Sequence, residues 1–411
     1  MVTVCSAIAS RLPCGLGSPS PLPLITRRPR IRVSLALLAI AGPLALLSCS
    51  GGAEDESAGA AGCAKVWRLA ESPGGAEGLI DVAALAGGDV WAAGERTEDG
   101  RSIAFVGRWD GGGWEAVPSP QRDGSVTALS SLAAVSADDL WAVGYTASTA
   151  AEKESPLIQH WDGSSWTLVP GPGAVEGIGL TDVSAAAADD VWAVGATAPG
   201  SGALLPYAIL HWDGSGWQSV LGPQGDGGLL GVDAVSADDA WAVGFREGNA
   251  GRLETLALHW NGTSWEPVPT PSDGAFSVLY RVAAVAGDDV WAVGASAGGA
   301  VGEGRRSTLV QHWDGTSWRV IESPSLGDGD NVLVDVAAAH PEDVWAVGYR
   351  DGGALVVHWD GKGWAAFPSP GGAGALQGVS VAADGAWWAV GQNGSAPLVH
   401  RLRCGGSPAS E

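Results

Sequence analysis

The chain has 411 residues, enough for one large or two ordinary domains, with 63 Gly, 21 Trp and few charged side chains. That composition excludes a disordered chain and a collagen-like one, and it fits many short strands joined by tight turns. The net charge is −23; the first 48 residues carry five Arg and no acid, which leaves 17 basic against 45 acidic groups, or −28, for the rest. Such a chain has no basic surface to displace counterions from phosphates, so no nucleic-acid partner is expected.

Arg27, Arg28, Arg30 and Arg32 precede an apolar run from Val33 to Leu47. A basic region, a short apolar region and small residues at its end read as a secretory signal rather than a membrane span. The ending, Leu46-Leu47-Ser48-Cys49, resembles the lipobox of bacterial lipoproteins. The resemblance implies cleavage before Cys49, a diacylglycerol thioether on its sulfur, and export. The folded part would then be anchored to a bacterial membrane, at the outer membrane or cell surface, facing periplasm or outside. Residues 1–25 hold neither an apolar region nor an acid, so translation is expected to start after Met1. Arg27-Arg28 suggests twin-arginine export, which Pro29-Arg30 fits poorly. This divides the chain into a signal segment (1–48), a flexible small-residue tether (49–62), a folded domain (63–404) and a tail (405–411).

Internal repetition decides the fold of the domain. Trp-Ala-(Val/Ala)-Gly occurs seven times, starting at Trp91, Trp141, Trp192, Trp241, Trp291, Trp345 and Trp388. (His/Arg)-Trp-(Asp/Asn)-Gly-x-x-Trp occurs six times, with its first Trp at 109, 161, 212, 260, 313 and 359. Together they absorb 19 of the 21 Trp and leave Trp67 and Trp387. One repeat, residues 180–221, resolves into four strands: LTDVSAA (a), VWAVGAT (b), PYAILHW (c) and, after the Asp213-Gly214 turn, GWQSVL (d). Four antiparallel strands recurring about every 50 residues predict an all-β, seven-bladed β-propeller. The Trp residues are expected to fill the spaces between blades with their indole N–H groups bonded locally. His160, His211, His259, His312 and His358 recur at one repeat position, which a ring keeps apart, so they read as scaffold and no metal site is expected.

The last repeat reaches strand c as Ala396 to Arg403, with His400-Arg401 standing for His-Trp, and has no strand d. The segment from Trp67, WRLAESP, matches the strand d from Trp318, WRVIESP. The N-terminal strand is therefore expected to complete the last blade, as in propellers of the WD-repeat kind. Cys63 and Cys404 then fall in the position of the missing c–d turn, and a Cys63–Cys404 disulfide is expected in the exported compartment. Closing so long a loop contributes up to roughly 5 kcal/mol in the chain-entropy model.

All length variation lies in the b–c and d–a loops, on one face of the expected propeller, where binding residues are sought. Tyr145, Arg246, Arg305, Arg306, Tyr349 and Arg350 are the candidates there. The other face collects Asp, including Asp138-Asp139 and the hairpin residues Asp110, Asp162, Asp213, Asp314 and Asp360. These read as turn formers rather than cation ligands. One strand-a column, ten residues before each Trp-Ala-Val-Gly, reads Asp81, Ser131, Asp182, Gly231, Arg281, Asp335 and Gly378. Its polar members, Asp81, Ser131, Asp182, Arg281 and Asp335, border the central channel. They are either ligand-facing or inter-blade pairs such as Arg281 with an Asp.

The repeats resemble the kelch, BNR/Asp-box and related bacterial propeller repeats, through the HWDGxxW and DVWAVG motifs. The Asp-Gly-x-x-Trp element is one residue shorter than an Asp-box and lacks its leading Ser/Thr, which argues against the sialidase group. The resemblance implies fold, not activity. The expected function is a non-catalytic, monomeric binding module for protein or glycan that needs no cofactor. A glycoside hydrolase or lyase built on Asp182 and Asp335, and a purely structural envelope protein, are the alternatives. An oxidase of the galactose-oxidase kind is disfavoured, because residues 64–403 contain no Cys.

Overall fold

In a computed structural model the chain is all-β. The structure describes residues 65–404, apart from 123–124, 149–153, 174–176, 198–206, 299–303 and 371. The signal segment, Cys49, the tether, Cys63 and the tail lie outside the described residues, as does the side chain of Cys404.

The described residues form 28 strands. β1 (Lys65–Leu69) stands first. β2 to β5 are Gly78–Ala84, Val90–Glu98, Arg101–Trp109 and Trp114–Ala116. β6 to β9 are Ser125–Ser136, Asp139–Ser148, Glu154–Trp161 and Trp166–Leu168. β10 to β13 are Ile178–Ala187, Asp190–Thr197, Ala208–Trp212 and Trp217–Ser219. β14 to β17 are Gly227–Ser236, Asp239–Glu247, Leu253–Trp260 and Trp265–Val268. β18 to β21 are Phe276–Ala286, Asp289–Ala297, Ser307–Trp313 and Trp318–Val320. β22 to β25 are Asn331–His340, Asp343–Arg350, Gly353–Trp359 and Trp364–Phe367. β26 to β28 are Ala375–Val381, Trp387–Asn393 and Ala396–Cys404.

Each group is an antiparallel meander of strands a, b, c and d, and the groups are numbered here as sets one to seven. A single parallel bridge, Leu253 to Phe276, joins sets four and five. The seventh set takes β1 as its fourth strand, in the order β26-β27-β28-β1.

Strand b is buried on both faces over its Trp-Ala-(Val/Ala)-Gly run, and its Trp is at most 1 % exposed in all seven sets. Six of the seven strand-b Trp pack on the strand-c and strand-d Trp of the following set. Trp141 lies 4.9 Å from Trp212 and 5.3 Å from Trp217, the second pair edge to face. Trp388 of the seventh set meets Trp109 and Trp114 of the first at 5.8 and 6.2 Å. Trp345 meets Trp67 edge to face at 5.3 Å, so β1 presents its Trp as a strand d does. The indole bonding departs from expectation. Strand-c indoles donate to the a–b turn, as Trp161 does to the Ala137 carbonyl at 3.2 Å. The indole N–H groups of Trp141, Trp192, Trp241 and Trp291 find no acceptor among the described residues. They are hemmed in by rings, and burial of the ring outweighs the unmade bond.

The register corrects one alignment. In sets two to six the strand-b Trp faces the recurring His, as Trp141 faces His160, and in set one Trp91 faces Arg108. Trp388 faces Arg401, and Trp387 faces Leu402. Arg401-Leu402, not His400-Arg401, therefore stands for His-Trp. Leu402 is smaller than the Trp it replaces, and the leftover Trp387 comes within 6.1 Å of Trp345 beside it.

Strand a carries a bulge at the same place in every set, after Leu79, Leu129, Leu180, Leu229, Leu279, Leu333 and Leu376. The bulge brings strand a so close to strand b that the motif glycine has no room for a side chain. A Cβ on Gly294 would run into the Val278 carbonyl.

Candidate functional site

The residue just past each bulge is the variable strand-a column. A bulge re-aims the side chain that follows it, and here it turns the column toward the neighbouring sets. Asp81 accepts the Leu132 N–H of set two at 2.8 Å. Ser131 donates to Asp182 of set three at 2.7 Å. Asp182 accepts the Val232 N–H of set four at 2.8 Å. Arg281 of set five donates to the Leu230 carbonyl of set four at 2.5 Å, and its Nε lies 3.9 Å from Asp335 of set six. Asp335 accepts the Val379 N–H of set seven at 2.7 Å.

A second tier lies two residues further along strand a. Ser184 accepts the Ala234 N–H at 3.1 Å, and Asp233 accepts the Ala284 N–H at 2.8 Å. Ser380 of set seven accepts the Ala84 N–H of set one at 3.1 Å. Hydrogen bonds and ion pairs thus link set one to two, two to three and so on to seven, and seven back to one. The glycines of the column are explained by the same closeness: a Cβ on Gly231 would lie 2.8 Å from the Arg281 Cα.

Beside this belt lies a cavity of about 260 Å³, lined from the column toward the a–b turns. Asp81, Ser131, Asp182, Asp233, Arg281 and Asp335 all border it. On the other side of the column the bulge residues Leu230, Tyr280 and Val334 are at most 3 % exposed and belong to an apolar cluster. Arg281 Nε lies 3.7 Å from Asp182 Oδ1, so one guanidinium stands between Asp182 and Asp335.

Four carboxyls face one cation here. Burial pushes Asp182 up, against the pull of Arg281 and the Ser131 hydroxyl. Burial also raises Asp81, again offset by Arg281. Asp335 is raised by burial and then by the charge of Asp81. Asp233 is raised to about 6 by burial, against the Ala284 N–H and the Ser184 hydroxyl. The sequence reading missed Asp233, Ser184 and Ser380, whose signal is only a polar residue on strand a two places beyond the column.

The five strand-a candidates are brought together; the six loop candidates do not line the cavity. Tyr145 is half-buried on β7, and burial followed by the charges of Glu154 and Glu95 pushes its hydroxyl to about 12. Arg246 is exposed and pairs with Glu254 at 3.0 Å. Arg305 bonds the Gly327 carbonyl and lies 3.9 Å from Asp328. Arg306 covers the Phe276 ring at 5.6 Å and reaches Asp330 at 4.0 Å. Tyr349 packs on the apolar cluster of Phe245 and Phe276. Arg350 is exposed at the end of β23.

The recurring His and Asp have packing roles. His160, His211, His259, His312 and His358 lie over the strand-b Trp of their own set, at 4.1–4.5 Å between ring centres. Each has Nε2 at 2.7–2.9 Å from the a–b turn Asp of that set. Arg108 and Arg401 stand over Trp91 and Trp388 in the same place. The hairpin Asp residues accept backbone N–H groups two and three residues on, as Asp162 does from Ser164 and Ser165. The Ser164 hydroxyl and these N–H groups hold Asp162 down at about 2. Among the described residues no group of His, Cys, Asp and Glu is arranged to hold a metal ion.

No protein-family model matches the chain, and no curated protein matches it. Solved structures do. One, named "YCF48 bound to D1 peptide", has 16 % identity and a TM-score of 0.51, covering 82 % of this chain and 96 % of the other. Another, YCF48 from Cyanidioschyzon merolae, has 15 % identity and a TM-score of 0.53, covering 82 % and 98 %. The fold is a β-propeller. Likeness at this identity carries the fold and nothing further.

Proposed function

We propose that the chain is an exported, lipid-anchored propeller of seven blades that works as a non-catalytic binding module. In this reading the blades form a ring that β1 closes as the outer strand of the last blade. The return link from Ser380 to Ala84 and the contact of Trp67 with Trp345 support closure. The Cys63–Cys404 disulfide belongs to the same proposal; the register sets the Cys404 backbone opposite Lys65, two residues from Cys63 in sequence. The anchor on Cys49 rests on the lipobox-like ending alone.

One observation favours binding over catalysis. Asp182 and Asp335, the carboxylates a glycoside hydrolase would be built on, each hold a backbone N–H of the next blade and share Arg281. Both are at most 8 % exposed. A hydrolytic pair needs one carboxyl to give a proton to substrate and the other to reach it or its water. Here both are committed to the scaffold.

The ligand of this proposal enters the cavity beside the belt. A polypeptide is favoured, since a propeller of like fold has been solved with a peptide bound. The acceptor-rich lining suits a segment that donates hydrogen bonds. Binding of the purified protein to peptide and glycan arrays tests this, with Asp233→Ala as the cavity variant. Peptide binding weakened about tenfold by that change is expected, the scale of one hydrogen bond to a charged group. Glycan turnover, or peptide binding indifferent to Asp233, would contradict it. Labelling with radioactive palmitate, lost in Cys49→Ala, tests the anchor.

A further inference from the structure

Asn-Gly occurs twice in the domain, at Asn261-Gly262 and Asn393-Gly394. This dipeptide is the one most open to intramolecular attack on an amide side chain, because glycine leaves its own nitrogen unhindered. The two copies sit in different surroundings.

Asn261 replaces the hairpin Asp of the other repeats. Its Oδ1 accepts the N–H groups of Thr263 and Ser264, both at 3.0 Å. Gly262, at φ 84°, is pressed against the a–b turn, with Asp238 Cβ 2.8 Å from where its own Cβ would stand. Side chain and following peptide are both fixed. Asn393 ends β27 at a two-residue hairpin, facing Ala396 across the pair. It is exposed, and no hydrogen bond of its side chain is seen to any described residue. Gly394, at φ 63°, has open space where a Cβ would stand.

We propose that Asn393 is a site of spontaneous deamidation and that Asn261 is protected from the same reaction by its turn. The Gly394 backbone nitrogen gives up its proton and attacks Asn393 Cγ. The bond from Cγ to Nδ2 breaks, ammonia leaves with the proton, and a five-membered succinimide remains. Water then opens the ring at Cγ to give aspartate, or at the backbone carbonyl of residue 393 to give isoaspartate. The sum is amide plus water to carboxylate plus ammonium, with no oxidant or cofactor. The reaction needs Cγ to swing onto the next nitrogen, which the open turn permits and the Asx turn resists. The site matters to the fold because this hairpin leads into β28, the strand to which β1 is paired. An isoaspartate adds a backbone carbon to it.

Incubation of the purified protein in ¹⁸O-water at mildly alkaline pH, followed by peptide mass mapping, reads both sites at once. Label is expected at residue 393 at least about tenfold faster than at 261, the ratio that breaking one hydrogen bond first would impose. In denaturant the two rates should converge, because the dipeptide is the same. Equal rates in the folded protein, or faster label at 261, would overturn the proposal. So would a tenfold difference that persists in denaturant, since the cause would then not be the fold.

Discussion

His400 is fully buried on β28. It faces Ala389 as Gln159 faces Ala142 and Gln311 faces Ala292. Gln159 donates to the Pro120 carbonyl at 3.0 Å and accepts the Ser119 hydroxyl at 2.8 Å, pinning the connector of the preceding blade. Ser369-Pro370 is the same connector before His400. Burial holds His400 neutral, down at about 4, and the Pro370 carbonyl offsets only part of that. His400→Gln should therefore fold as well or better, by about 0.5–1.5 kcal/mol per bond gained, when read by chemical denaturation. A loss of stability would mean that the position is not equivalent. Asp233 sets a pH dependence of definite sign. Its folded value of about 6 lies above the ordinary 3.8, so the folded protein holds this proton more tightly than the unfolded one. The contribution is full below 3.8 and is lost as pH rises through about 6. Asp162, Asp213 and Asp314, held near 2 by their turn and hydroxyl bonds, act oppositely and lose theirs as pH falls from 3.8. The melting midpoint should peak near pH 4 and fall as pH rises from about 4 to 6, and Asp233→Asn should flatten that fall.

At the scale of the element, the bulge of strand a is what the sequence hid. Its neighbours were legible: alternation and Asp-Gly turns placed strands c and d, and the apolar Trp-Ala-Val-Gly run placed strand b. The motif glycine had no reason until the bulge brought strand a against it. The strand-a column was visible as polar and irregular, and pairs between blades were one of its two readings. That reading describes what its members do, but its second tier was not visible, since a Ser or Asp on a strand gives no sign of a partner 50 residues away. The loop candidates were drawn from length variation, which marks tolerance to insertion and says nothing about where side chains converge. Gly294→Ala should cost about 1–3 kcal/mol, the range for overpacking, because a carbonyl rather than a flexible side chain stands in the way. Gly113→Ala, where a Cβ meets nothing within 4 Å, should be near neutral. Denaturation midpoints at unchanged slope would read both.

At the scale of the whole molecule, β1 is the decisive strand. Lys65 reaches Asp343 at 2.8 Å, and Trp67, 4 % exposed, packs on Trp345, so the N-terminal strand is tied to the sixth set as well as the seventh. Sequence alone carried the pairing of β1 with the last set, through the likeness of WRLAESP to WRVIESP; the register then moved the His-Trp equivalent by one residue. Trp67→Ala should cost about 3–5 kcal/mol, as for other buried Trp. The most direct test is the pairing of Cys63 with Cys404, which in sequence bracket the missing c–d turn. Non-reducing peptide mapping of the exported protein should find the two in one linked peptide. Recovery of both as free thiols would contradict a ring sealed by its N-terminal strand.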